Sequence, residues 1–130
     1  MLRLDLPTDS FWVDCPFGVR LLCRPLTTAL NHAAGARASR RLQEMRDAAP
    51  GDASLQDQDI ARGLMVAEVT VALAEVLVDA WEGVGNAEGT EAAPLTPDGL
   101  RALMSVPEVA RAFDAGVAAP LARMAAEGNG

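Results

Sequence analysis

Apolar and polar residues alternate at period two over residues 2–6 and 11–15, with Pro7-Thr8-Asp9-Ser10 between them as a turn. A second turn at Pro16-Phe17-Gly18 leads to Val19-Arg20-Leu21-Leu22-Cys23-Arg24, so residues 1–24 predict a small antiparallel hairpin or three-stranded meander. Such a sheet is too small to stand alone and must lie on helices or pair its edge with another chain. After Pro25 the period changes to that of a helix. Thr27 or Thr28 can cap a helix over 27–48 in which Leu30, Ala34, Ala38, Leu42 and Met45 share one face, ended by Pro50-Gly51-Asp52. Arg37, Arg40 and Arg41 lie on the opposite side with Glu44; the cluster has two readings, a basic docking patch or, as expected, a solvated face on which Arg40 and Arg41 pair with Glu44.

The spine of the pattern is the stretch 54–81. From Leu64 to Trp81 it carries no Gly or Pro, and Ser54 with Asp57 three residues on resembles a capping box. At 100° per residue Asp57, Glu68, Glu75, Asp79 and Glu82 fall in one acidic stripe about 60° wide, with the remaining circumference apolar. The stripe reads as the helix's one solvated face. Three acids within a run of about 18 apolar residues make a membrane span too costly, at about 2.5–3.5 kcal/mol each in mid-bilayer. The helix is expected to end at Gly83 and Gly85, followed by an exposed, mobile loop over 85–95. Thr96-Pro97-Asp98 then starts a short helix, 97–104. Ser105-Val106-Pro107-Glu108 starts a last one, 106–127, expected to kink or break near Gly116 and Pro120. The fold class is therefore mainly α, a single domain over 1–130 with four to five helices and a small N-terminal antiparallel sheet.

Composition narrows the function classes. With three Phe, two Trp and no Tyr, the core must be built from Ala, Val and Leu, which favours close helix packing over a ring-lined ligand cavity. All eleven basic residues are Arg, against eighteen acids; at a net charge of -7 a nucleic-acid backbone is not an expected partner. The N-terminus lacks a continuous apolar run of the secretory kind, so a cytoplasmic location is expected, and with it free thiols at Cys15 and Cys23. His32, the single histidine, has no Ser, Cys or acid at a catalytic spacing. No phosphate-binding glycine loop, metal-ligand set or nucleophile elbow occurs, so no catalytic, cofactor-binding or metal-ligating residues are assigned and the expectation is a non-enzyme.

A resemblance is carried by the Pro25-Leu26-Thr27-Thr28 entry into an Ala/Arg-rich helix and the apolar helix ending in Val78-Asp79-Ala80-Trp81-Glu82-Gly83-Val84. It continues through Pro94-Leu95-Thr96-Pro97-Asp98-Gly99-Leu100 and the closing Val109-Ala110-Arg111-Ala112-Phe113 helix. Together these resemble the small tail assembly chaperones of long-tailed bacteriophages and prophages, most specifically over Trp81 to Leu103. The chain departs from that pattern in a longer, Ala-rich loop at Asn86–Pro94. The resemblance implies a helical, non-catalytic protein that coats the tape-measure protein and recruits tail-tube subunits, alone or as a homo-oligomer, without nucleic acid or membrane. It places partner binding at Trp81, Val84, Leu95, Leu100 and Leu103. Trp81 has two readings, an anchor filling a partner pocket or a core residue stapling the following loop. The alternative function is a structural tail or neck subunit whose N-terminal strands join a neighbour's sheet in a ring.

Overall fold

A computed structural model of the chain describes residues 4, 5 and 7–129 and, over 121–129, the backbone alone. The expected mainly-α class with a small antiparallel sheet is what the chain adopts. The elements are β1 (Phe11–Asp14), β2 (Arg20–Cys23), α1 (Thr28–Ala48), α2 (Gln58–Leu77), β3 (Val78–Glu82), α3 (Pro97–Met104) and α4 (Pro107–Asn129). The strand expected over 2–6 falls mostly outside the described residues, and Leu4 and Asp5 are in no strand.

The sheet's third strand comes from elsewhere. Its order is β1-β2-β3, all antiparallel, so residues 78–82 pair with the N-terminal hairpin across more than fifty residues of chain. The helix expected to reach residue 81 thus stops at Leu77. The reason is local and tertiary together: β-branched Val76 and Val78 lower helix propensity, and β2 offers a free edge whose pairing begins with Arg24 N–H donating to Leu77 O at 2.8 Å. The start of this helix also moves. Ser54 lies in a separate 3₁₀ turn, and Asp57 is the cap, its Oδ1 accepting from Asp59 N and Ile60 N. One carboxylate satisfies two otherwise orphaned amides, which a Ser54 hydroxyl cannot match.

The other helix ends follow the sequence closely. Thr27 Oγ1 accepts from Leu30 N at the start of α1, and Thr96 Oγ1 from Gly99 N at the start of α3. Ser105 instead donates its hydroxyl back to Ala102 O, closing α3. The last helix does not break: α4 runs on through Gly116 and Pro120. Gly116 is used for contact, because a Cβ there would collide with the Val13 side chain where α4 crosses β1.

One apolar cluster joins the inner face of the sheet to α2, α3 and α4, with Leu21, Cys23, Leu77 and Phe113 fully buried and Val109 nearly so. The thiols of Cys15 and Cys23 are free, and burial pushes the Cys23 thiol up to about 12, with the charges of Cys15 and Asp79 adding to the shift. No described helix is long and apolar enough to cross a membrane.

Candidate functional site

The acidic stripe proves to be the frame of the molecule. Glu68 is only 6% exposed and receives two bonds from Arg101, at 2.5 and 2.9 Å, tying α2 to α3. Glu75 receives two from Arg41, at 2.6 and 2.9 Å, and a longer one from Arg37, tying α2 to α1. Asp79 pairs with Arg24, and Glu82 with Arg20. Arg41 therefore serves α2 rather than Glu44, its expected partner within α1, and Arg37 serves the same carboxylate. The stripe points at neighbouring helices because a narrow polar strip on an otherwise apolar helix is stabilised better by fork-shaped guanidinium donors than by water. Bonds from Arg101 hold the Glu68 carboxyl below its ordinary range. For Glu75, burial acts upward, but the bonds and charges of Arg41 and Arg37 outweigh it and the carboxyl is likewise lowered.

At the end of this frame lies an apolar groove of about 410 Å³, walled by Trp81, Val84, Ala93, Pro94, Leu103 and Val106, with Asn86, Ala87 and Thr96 also lining it. The elements that form it have clear local causes. Gly83 takes a left-handed φ of 78°, and a Cβ there would collide with the Gly18 carbonyl in the β1–β2 turn, so the chain can leave β3 only through a glycine. The following loop is exposed as expected, yet it is a closed hairpin. Ala93 N donates to Val84 O at 2.8 Å and Asn86 N to Glu91 O at 2.9 Å, while Asn86 and Thr90 exchange bonds across the tip. Gly89 turns the tip at φ 72°.

Trp81 fixes this hairpin to the body. Its Nε1 donates to Ala93 O at 2.9 Å, and the ring edge presses on the first turn of α3 so closely that a Cβ at Gly99 would lie 2.8 Å from Cη2. The indole is half-buried with its polar atom satisfied inside the chain, so it forms part of the groove wall and fastens the loop. Of the sequence-assigned partner residues, Trp81, Val84 and Leu103 line the groove together. Leu100 is buried in the core, and Leu95 packs against that core from the side without lining the groove. Ala93, Pro94 and Val106 complete the wall and were not assigned. The visible signal was the apolar Ala92-Ala93-Pro94 run inside an otherwise polar loop.

Chemically the groove offers burial and shape. None of its lining side chains titrates, the Thr96 hydroxyl caps α3, and Asn86 is engaged by Thr90. Among the described residues no cluster of His, Cys, Asp or Glu has a metal-holding arrangement. A similar-sized cleft between α1, α2 and α3 is lined by Arg41, Glu44, Met45, Ala48, Glu68 and Arg101, three of whose charged groups are committed to the ion pairs above. Comparison with protein-family models, with curated proteins and with solved structures finds no match.

Proposed function

We propose that this chain is a non-enzymatic tail assembly chaperone of a long-tailed phage or prophage, which binds the helical tape-measure protein in the cytoplasm and helps recruit tail-tube subunits to it. The observation that carries the reading is the apolar groove at Trp81, Val84 and Leu103, because it coincides with the stretch in which the sequence most resembles that group. A long helical protein awaiting its tube exposes apolar stripes, and a small acidic protein that covers them keeps the partner soluble. Trp81 contributes by holding the hairpin wall in place rather than by protruding.

Coexpression with the tape-measure protein of the same gene cluster tests this directly: the partner should pass from the insoluble to the soluble fraction. A partner that stays insoluble, with this chain present at fixed copy number in purified particles, would favour a structural subunit instead. That second reading draws on the sheet, in which β1 and β3 are edge strands available to a neighbour.

A further inference from the structure

We infer that the groove receives a helical segment whose apolar stripe is flanked by arginine or lysine; the inference rests on the reading of this chain as a partner-binding protein. The argument is charge. Within two residues of the groove-lining positions stand six acids and one cation. Asp79 and Glu82 are paired with Arg24 and Arg20, and the cation, Arg101, is held by both oxygens of Glu68. Glu88, Glu91, Asp98 and Glu108 remain, all exposed, with no ion-pair partner among the described residues. An apolar groove whose sequence neighbours leave only exposed acids without an ion-pair partner among the described residues favours a partner of the opposite sign and repels another copy of this acidic chain.

The helical form of the occupant is taken from the proposed function, whose partner is a helical protein that presents an apolar stripe of side chains. A volume of about 410 Å³ accommodates the anchors of a turn or two of such a helix.

The test titrates the full chain into fluorescently labelled synthetic helical peptides of about 18 residues, long enough to populate a helix. All carry the same leucine stripe and differ only in flanks of arginine, glutamine or glutamate. Anisotropy should show the arginine peptide binding at least about tenfold tighter than the glutamate peptide, with the gap shrinking between about 50 and about 300 mM salt as screening shortens. The pair Glu88→Gln and Glu91→Gln, on the exposed hairpin, should cut that discrimination at least about threefold. Ala87→Trp, at an exposed position beside the groove, should block binding while circular dichroism stays unchanged; Leu103→Glu should block it too. Equal binding of all three peptides, or binding indifferent to Ala87→Trp in a folded protein, overturns the inference. If the wild-type chain solubilises the tape-measure protein but binds no peptide, the inference falls and the proposed function stands. If the arginine peptide binds as expected while the tape-measure protein stays insoluble, the inference stands and that function falls.

Discussion

On one face of α2 the chain buries Leu21, Leu77, Val109 and Phe113 in a single apolar cluster, whereas on another α1 meets it through Ala34, Ala38 and Leu42 and through Arg37 and Arg41 on Glu75. None of the buried α1 residues belongs to the main cluster. Small side chains let the two helices approach closely but remove little apolar area from water, at about 25 cal/mol per Å². Register and attachment on that side therefore depend on the charged forks. The sheet side is stabilised by transfer of large side chains, the α1 side by geometry and pairing, and the two should fail under different insults.

The largest blow to the first side is Phe113→Ala. It should cost about 3–5 kcal/mol and destabilise the whole domain in one transition, read as a shifted denaturant midpoint with an unchanged slope. A smaller loss, about 1–3 kcal/mol, is expected of Gly116→Ala from its clash with Val13, and Val13→Ala in the same chain should recover part of it.

On the second side, Arg41→Ala leaves the nearly enclosed Glu75 carboxylate without its two shortest bonds and should cost about 1–3 kcal/mol. Its signature sharpens the comparison: hydrogen exchange should accelerate across α1 before α4 responds. If α4 responds equally, the molecule is one cooperative unit and the distinction between the two faces fails.

Acid acts in the same direction. The Glu68 and Glu75 carboxyls are lowered in the folded state, so their stabilisation is fully present above the unfolded value of about 4.3 and is lost as pH falls through the folded values. Stability should accordingly be flat near neutrality and decline below about pH 4–5, with Glu75→Gln flattening the decline. The smallest effect lies in the β1–β2 turn. Phe17 holds a left-handed φ of 66° and is 74% exposed, so Phe17→Asn should leave α1 untouched and stabilise the fold by about 0.5–1 kcal/mol, measured as a rise in Tm.

The sequence was most legible where causes are local. The Thr27 and Thr96 caps and the span 97–104 follow from residues within a few positions of one another. It was least legible where the cause lies far along the chain. Val78–Glu82 continues the apolar pattern of α2, and only the edge of β2, more than fifty residues earlier, makes it a strand. Glu68 and Glu75 looked solvated because Arg41 and Arg101 reach them from two other helices. A hint was present in the spacing: Arg37 and Arg41 stand one turn apart, as a pair gripping one carboxylate must. The resemblance pointed to Trp81, Val84, Leu95, Leu100 and Leu103 alike, and local pattern gave no means of separating the positions that line the groove from core Leu100.

The distant origin of β3 has a consequence during synthesis. On the ribosome β2 emerges with one edge unpaired, and that edge stays open until translation has advanced from Cys23 past Glu82. At about 5–20 residues per second that interval is on the order of 3–12 s. For those seconds Leu21 and Cys23 belong to a two-stranded ribbon that α3 and α4, which follow β3 in the chain, have not yet been made to cover. The charged row Asp14–Arg20–Glu82 is completed only when β3 arrives, whereas the partners Arg20 has in the fold at the Trp12 ring, 4.6 Å away, and at Asp14 both lie within the β1–β2 hairpin. A cation on an open strand is a known deterrent to edge-to-edge pairing, so Arg20 guards the polypeptide before it joins the finished sheet.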